Sequence, residues 1–483
     1  MSLRKDFLSG AFYVGVAKYA GIISQLIISM ILARILTPED YGIVAIATVF
    51  IAFFNVISDI GIGVAVIQRK DLSEYDLDHL YSINVYIGVI LSILFFSISG
   101  LISNYYNVDE LLYVCQLLSL LILFTCLRTV PMNLLYKSKQ FKYIAFTTLS
   151  VQIISGIVAI LTALQGWGVY ALVLSQLLSS ILLFVIYSFK CKRHFCFHID
   201  FSPVKKIFSY SIYNFCSTLV CYLTMNLDKM LIGKYTGVAS LGYYEKSDKL
   251  VFMPISNITF VITPVLHPLL SELQNNLDEL YKKYIKIVEA LAYISFPISV
   301  FFFFASKELI LLFFGDQWIE AIPVFKIMSL AVSFLMFDTT AGSIFLAANE
   351  TKRAFYTMLI MLIIMVVSLI VAIYFWNTIL AIAYAYLFAK VSGSLFNYYS
   401  LMHGLGRRYF DFIKIIIKPF VTGVVVFFIF YILTQLFNVE NIILSLVVKS
   451  IIGFSISLGL ISIMSDYSIK KMYCIVKNKV LRR

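Results

Sequence analysis

Residues 354–376 read AFYTMLIMLIIMVVSLIVAIYFW, a run of 23 residues with no charged side chain that follows directly after Lys352 and Arg353. A helix needs about 20 mainly apolar residues to cross the hydrocarbon core of a bilayer. The stretch therefore predicts a membrane-spanning helix. Working outward from it in both directions, similar runs predict about fourteen spans, near 12–36, 41–67, 80–104, 111–136, 143–165, 168–189, 207–233, 241–267, 287–305, 321–348, 354–376, 379–402, 411–436 and 441–465.

The composition supports an all-α membrane protein. Of the 483 residues, 61% are hydrophobic and 13% are charged, whereas soluble domains carry about 25% charged residues. All the predicted loops are short, so none could hold a soluble catalytic domain. The chain also has no Gly-x-x-x-x-Gly-Lys-Ser/Thr motif, which argues against an ATPase.

The basic residues lie mainly on one side of the predicted membrane. The side that holds the N-terminus carries about 25 lysines and arginines, and the other side carries three, Arg34, Lys234 and Lys307. Loops rich in lysine and arginine stay in the cytoplasm, so both termini are expected there. The net charge of +12 is explained by this asymmetry and by contact with anionic lipid, without a nucleic acid partner.

Two segments that lie 200 residues apart look alike. Residues 34–42, RILTPEDYG, and 234–242, KYTGVASLG, each contain a base, a nearby threonine and a glycine eight residues after the base. Six predicted spans separate them, and an even number preserves orientation. The pair predicts parallel repeats, a plan of secondary transporters that places the pathway between the two copies. The alternative to an internal repeat is that a short turn with a base, a threonine and a glycine occurs twice by chance.

Five motifs carry a resemblance to a known family. They are LTPEDYG at 36–42, SDIGIG at 58–63, IQR at 67–69, NLDKMLIG at 226–233 and LGYY at 241–244. Together they resemble the polysaccharide transporters of the MOP superfamily, the Wzx-type oligosaccharide flippases. The order of motifs is most similar to the branch of WzxC and the teichuronic acid exporters, and the resemblance covers nearly the whole chain.

The resemblance implies a particular domain organisation. It predicts an N-terminal six-helix lobe at 1–189, a cytoplasmic linker at 190–206 and a C-terminal six-helix lobe at 207–403. The remainder, 404–483, would hold spans thirteen and fourteen and a basic cytoplasmic tail.

The resemblance also implies a function. Such a protein moves an undecaprenyl-diphosphate-linked oligosaccharide from the cytoplasmic to the outer leaflet of the bacterial inner membrane, for O-antigen, capsule or exopolysaccharide synthesis. The expected partners are this lipid-linked sugar, the bilayer, a proton or sodium ion, and the polymerase and chain-length machinery.

Four basic residues within the predicted spans are candidate substrate-binding groups. A charge inside a span normally faces a wet cavity or a partner, and a diphosphate carrier needs cations along its path. For Lys18, which lies nearest the cytoplasmic surface, the alternative is that its side chain extends to the inner headgroups. Lys390 in span twelve lies closest to the midplane. In chain order the four candidates are Lys18, Arg128, Lys229 and Lys390.

Three acidic residues are candidates for ion coupling or for structural ion pairs. Asp59 lies at a depth similar to that of Arg128, and Asp338 at a depth similar to that of Lys390. Asp228 could instead join the charged start of span eight in an ion network. The expected coupling ion is a proton or sodium, and ion pairing is the simpler interpretation of all three acids.

The sequence predicts no catalytic residue, no cofactor and no metal site. The segment 191–198, CKRHFCFH, has residue types that bind zinc, but its spacing matches no standard zinc site. A solvated basic loop is therefore expected. The seven cysteines show no disulfide framework.

Other function classes remain open at this level. A drug or cation antiporter of the same superfamily would present acids to its substrate, whereas bases outnumber acids in these spans. A polymerase or ligase of polysaccharide assembly would need a larger outer loop. A lipid II flippase would share the fold.

Overall fold

The computed structural model describes residues 2–58, 62–69, 72–198, 200, 202–274, 276–436 and 441–464. These residues form helices and turns and include no β-strand, so the predicted all-α fold is confirmed. The chain divides into two compact units, Met1–Gly242 and Tyr243–Arg483. The predicted lobe and linker boundaries stay a prediction.

The first unit is built from long helices joined by short turns. Its helices are α1 (Ser2–Ile35), α2 (Pro38–Ser58), α3 (Ile62–Gln68), α4 (Glu74–Tyr106), α5 (Glu110–Lys137), α6 (Phe141–Leu164), α7 (Val169–Lys190) and α8 (Ser202–Tyr235). The next helix, α9 (Val238–Ser271), begins at the end of this unit and continues into the second.

The second unit contains several short helices among its long ones. They are α10 (Leu277–Phe304), α11 (Ser306–Phe313), a 3-10 turn (Asp316–Trp318), α12 (Ala321–Ser329), α13 (Val332–Asp338), α14 (Ala341–Ala347), α15 (Thr351–Phe375), α16 (Ile379–Gly404), α17 (Tyr409–Leu436) and α18 (Ile442–Met464).

Within the described residues, eleven helices are long and apolar enough to cross a membrane, or twelve when one bent pair counts as a span. The protein is therefore a multi-pass membrane protein. The two other predicted spans correspond to α8 and α9, which are 34 residues long and carry charges such as Asp228 and Lys246. The predicted number of fourteen is therefore approximate.

The span predicted near 321–348 is broken rather than continuous. Its first part, Ala321–Ser329, meets Val332–Ala347 at a bend of 51°. Around the bend, the hydroxyls of Ser329 and Ser333 donate to backbone carbonyls three residues earlier. Serine and threonine that bond back to the helix in this way often bend it.

Several helices begin earlier than hydropathy predicts. For α10 the predicted span starts at 287, yet the helix starts at Leu277. Asn276 caps it by accepting from the N–H of Glu279 at 3.1 Å, and Glu279 pairs with Lys283 at 2.8 Å. Charged first turns that lie outside the apolar run are helical, because caps and i,i+4 pairs stabilise them.

Candidate functional site

In the first unit, Arg128 is a base that lies within the apolar sequence of helix α5. It is half-buried in α5, three residues before Pro131 within the same helix. Tyr187 lies within electrostatic range of it, and the Tyr187 hydroxyl shares a hydrogen bond of 3.1 Å with Thr148. Among the described residues Arg128 has no hydrogen-bond or ion-pair partner. Its guanidinium is therefore available to a ligand.

The acid predicted to pair with Arg128 was Asp59. That residue lies outside the described residues, so the ion pair stays a prediction. Lys18 is half-buried in α1 and is already engaged in an interaction. One turn further along, the Gly21 carbonyl accepts from Gln152 Nε2 of α6 at 2.9 Å, so this part of α1 is held against α6.

Asp228 and Lys229 lie together on α8. Asp228 is 4% exposed, and its Oδ1 accepts from the Lys229 backbone N–H at 2.8 Å. Both side chains also take part in further interactions. Because their side chains leave the helix about 100° apart, they face different neighbours.

In the second unit, Lys390 lies in the middle of α16 and is half-buried. Its Nζ is 5.3 Å from the centre of the Tyr386 ring, one turn earlier, where the ring face attracts a cation. Among the described residues Lys390 forms no direct ion pair, so its charge also remains available.

Asp338, the expected partner of Lys390, is instead held by an amide. Asn397 Nδ2 donates to Asp338 Oδ1 at 2.6 Å. Asp338 is the last residue of α13, at a break in the span, and Lys390 lies within electrostatic range of its carboxylate. The sequence interpretation missed Asn397, because a neutral amide in an apolar helix carries no charge signal.

A buried hydroxyl cluster lies beside this carboxylate. The Tyr284 hydroxyl is 3.0 Å from that of Tyr398 and 3.1 Å from that of Thr340. The Tyr398 hydroxyl also donates to the Phe337 carbonyl at 3.0 Å. These bonds tie α10 and α16 to the segment between α13 and α14. The break in the span is therefore rigidly supported rather than loose.

Helix α16 presents two chemically different faces. Lys390, Ser394 and Asn397 follow helical spacing on one face. The opposite face, which includes Tyr384 and Phe388, lines an apolar cavity of about 940 Å³ shared with α10, α13 and α17. A helix with one polar face inside a membrane protein is typical of a wet path on that face.

Lys246 of α9 is a buried lysine. The sequence suggested it only as a member of the charged start of span eight, with which Asp228 could pair. It is 1% exposed, and its Nζ lies 4.9 Å from the Phe314 ring centre and 5.6 Å from that of Trp318. The aromatic cage holds this charge within the second unit, which indicates a structural role.

The segment after α7 packs onto α4 and holds no metal site. Arg193 pairs with Glu74 and lies 3.5 Å from Asp78, and the Cys196 N–H donates to Ser82 Oγ at 2.8 Å. Within the described part of the chain no cluster of three metal-binding side chains occurs. The segment 191–198 is therefore held against α4 at these contacts, while most of its residues are exposed.

Residues 31–323 match the sequence pattern described as polysaccharide biosynthesis protein. This is more than half of the chain. The chain belongs to the polysaccharide biosynthesis protein family. The predicted family resemblance is thereby confirmed.

Curated relatives of this polysaccharide biosynthesis protein cover most of its length. It is 26% identical to the teichuronic acid biosynthesis protein TuaB of Bacillus subtilis, over 87% of each chain. It is 22% identical to the lipopolysaccharide biosynthesis protein WzxC of Escherichia coli, over 87% of this chain and 86% of that one.

Solved structures of membrane transporters share its fold. The lipid II flippase MurJ in an inward closed conformation matches with a TM-score of 0.74 and 18% identity, over 93% of this chain and 98% of that one. An inward-facing multidrug resistance MATE transporter of the MOP superfamily matches with a TM-score of 0.65 and 14% identity, over 82% and 96%. The fold is thus that of the MOP superfamily.

Proposed function

We propose that this protein is a flippase that moves a lipid-linked oligosaccharide across the bacterial inner membrane for surface polysaccharide synthesis. The family match and the two relatives named for polysaccharide synthesis support this activity. The substrate is an undecaprenyl-diphosphate-linked sugar chain, the lipid carrier whose diphosphate a cationic path would accept. Transport by alternating access needs no chemical step, so the protein is not an enzyme.

The observation that carries the proposal is that two bases within the membrane helices lack ion-pair partners among the described residues. Arg128 and Lys390 are half-buried, and neither forms an ion pair among the described residues. Removing a charge from water without a partner costs several kcal/mol, roughly, so such groups normally serve a ligand or a wet cavity. Arginine binds phosphate in a bidentate fashion and lysine acts as a point charge.

The surrounding acids favour this substrate over a cationic drug. Asp338 is satisfied by Asn397, and Asp228 by the Lys229 N–H and further partners. Both carboxylates therefore already accept hydrogen bonds, whereas neither base forms an ion pair among the described residues. The proposed orientation places both termini in the cytoplasm, on the side with the basic loops. Coupling to a proton or sodium gradient through Asp338 belongs to the same proposal.

Replacing either cation tests the function. We expect Arg128→Ala and Lys390→Ala each to reduce glycan export by at least about tenfold, because a lost phosphate contact is worth about 1.5–3 kcal/mol. The measurement is surface glycan per cell in a strain that lacks its own copy, with the amount of membrane-inserted protein determined in parallel.

The matched control is Lys414→Ala. Lys414 is also a base on a long helix, but its side chain is exposed, and we expect normal export. If the Arg128→Ala and Lys390→Ala variants both exported glycan normally at normal protein levels, the proposed role of these two bases in substrate binding would be contradicted.

A further inference from the structure

The apolar cavity of about 940 Å³ in the second unit lies between α10, α13, α16 and α17. Along α16 its wall extends from Tyr384 to Leu395, a rise of about 17 Å at 1.5 Å per residue. The hydrocarbon core of a bilayer is about 30 Å thick, so that one leaflet accounts for about 15 Å. The cavity is therefore about as long as one leaflet is deep.

The walls of the cavity are partly exposed on the surface of the helices. Phe388 of α16 and Phe428 of α17 both line it, and they are 64% and 59% exposed. Lys390 and Asn397 lie on the other face of α16, so the cavity is separate from the proposed cationic path. A contiguous apolar surface on a membrane-spanning bundle marks contact with the membrane. The cavity therefore opens towards the hydrocarbon of the bilayer.

The hydroxyl groups in the cavity wall already donate to backbone carbonyls. Ser333 and Ser392 donate to carbonyls three and four residues earlier, at 2.7 and 2.6 Å. Ser299 donates to the Ser329 carbonyl at 2.9 Å. These hydroxyl protons are not left for water or a sugar, and a cavity without polar partners stays dry or takes an apolar ligand. The chemistry of the wall therefore fits a hydrocarbon chain.

A base lies near one end of the cavity. Lys326 of α12 is exposed and forms no ion pair among the described residues. Its Nζ lies 4.6 Å from the centre of the Phe303 ring, and that ring is 5.5 Å from the ring of Phe427 in the cavity wall. Lys326 and Tyr384 each lie five residues after the start of their helix, and both helices start on the predicted outer side. The lysine is therefore expected close to the headgroups of the outer leaflet.

We propose that the cavity binds one acyl chain of an anionic phospholipid of the outer leaflet, and that Lys326 holds the phosphate of this lipid. A chain that is one leaflet long supplies the van der Waals contacts that an empty cavity lacks. The phosphate pairs with a lysine near the membrane surface. The undecaprenyl chain of the proposed substrate is much longer than one leaflet. The phospholipid is therefore a resident partner of the second unit and is not the transported carrier.

Filling the cavity tests the site of the acyl chain. Val424 of α17 lines the cavity, whereas Val421, one turn earlier, does not, and the two side chains are similarly exposed, at 37% and 40%. Purified protein in detergent is titrated with phosphatidylglycerol, and the retained lipid is counted by native mass spectrometry. We expect Val424→Trp to weaken retention about tenfold, the loss that follows when about two buried CH₂ groups are displaced.

Val421→Trp is the matched control and should retain the lipid like the unaltered protein. Leu395→Trp fills the cavity from α16 and should behave like Val424→Trp, so a folding defect of one variant does not decide the result. Equal retention by the filling variants and the control would overturn the chain site, since the lipid would then be held by the general surface of the protein.

Replacing the base tests the site of the headgroup. Lys326→Gln should weaken retention of phosphatidylglycerol about fivefold, the contribution expected of one lysine near an anionic membrane surface. Phosphatidylethanolamine, which carries no net charge, should be retained as before. Lys307→Gln is the control, because Lys307 is another exposed base on the predicted outer side and does not line the cavity. An unchanged preference for phosphatidylglycerol in Lys326→Gln would overturn the assigned headgroup contact.

Competition with undecaprenyl phosphate identifies the class of lipid. We expect it to displace phosphatidylglycerol only in large excess, and displacement at equal concentration would overturn the assignment to a phospholipid. Phosphatidylglycerol should also raise the thermal midpoint of the unaltered protein and of Val421→Trp, but not that of Val424→Trp, because a ligand stabilises only the protein that binds it. None of these measurements depends on transport, so they decide the lipid site independently of the proposed function.

Discussion

At the scale of single residues, Arg128 and Lys390 are notable because each places a charge within a membrane helix without an ion-pair partner among the described residues. Lys390 gains about 0.5–2 kcal/mol from the neighbouring aromatic ring, which does not offset the cost of a charge in hydrocarbon. Water or an anionic ligand on the polar face of α16 would supply the rest of the free energy that stabilises the Lys390 charge. The same reasoning separates these two bases from exposed ones such as Lys326.

Asn397 should matter for stability as much as for function. Asn397→Ala removes the donor at 2.6 Å from Asp338 and leaves a half-buried carboxylate without this hydrogen bond. We expect a loss of about 1–3 kcal/mol in the free energy of unfolding, seen as a lower thermal midpoint of the purified protein in detergent.

Ser392→Ala is the control for that variant, since Ser392 is a half-buried residue of the same helix whose hydroxyl bonds only within that helix. We expect its midpoint to stay within the experimental error of the unaltered protein. Equal midpoints for the Asn397 and Ser392 variants would show that the amide does not hold Asp338.

The sequence predicted the charged candidates for the proposed path but not their neutral partners. Arg128, Lys390 and Asp338 are conspicuous because charge is rare in apolar runs. Asn397 and Tyr398 are polar without charge, and many such residues in these helices serve only as packing. Their role depends on which residue of a distant helix lies opposite, and a single sequence does not contain that information.

At the scale of helices, α18 depends on one buried ion pair. Most side chains of this helix face outward. Lys449 Nζ donates to Glu308 Oε1 at 2.5 Å and to the Phe304 carbonyl at 2.8 Å, and Ser445 donates to the same carboxylate oxygen at 2.8 Å. The sequence alone does not reveal this pair, because Glu308 lies 141 residues away from Lys449.

Removing this pair should loosen α18 from the rest of the second unit. Lys449→Met leaves Glu308 charged and buried, and breaking one side of a buried pair costs up to about 3–5 kcal/mol. We expect faster hydrogen exchange in α18 and a lower thermal midpoint in detergent.

Lys418→Met serves as the control, because Lys418 is exposed on the neighbouring helix α17. Exchanging the two charges, with Glu308→Lys and Lys449→Glu together, should recover part of the lost stability. A charge-exchanged protein no more stable than Lys449→Met would contradict a direct ion pair.

The positions of the helices could be predicted wherever the length of an apolar run in the sequence determines them. Each of the fourteen predicted spans falls on a helix or a series of helices. The break within 321–348 was not predictable, because hydropathy measures composition and not continuity. Where the backbone departs from a helix depends on serine and threonine bonding and on packing partners, which leave mean hydropathy unchanged.

At the scale of the whole molecule, the charge asymmetry predicts which side of the protein faces the cytoplasm. About 25 basic residues lie on one predicted side and three on the other, and each reversed loop would be costly against the membrane potential and anionic lipid. With the cytoplasm on the basic side, the segments 34–42 and 234–242 are expected to lie outside.

This orientation predicts which short turns are open to reagent from outside the cell. Ser138→Cys, in the exposed turn between α5 and α6, and Gln165→Cys, in the exposed turn between α6 and α7, lie at opposite ends of α6. In a background without native cysteines, a membrane-impermeant maleimide on whole cells should label Gln165→Cys and spare Ser138→Cys. Permeabilised cells should label both, which controls for reactivity of the thiol. The opposite pattern on whole cells would invert the protein, place its basic loops outside and reverse the side on which the diphosphate first meets Arg128 and Lys390.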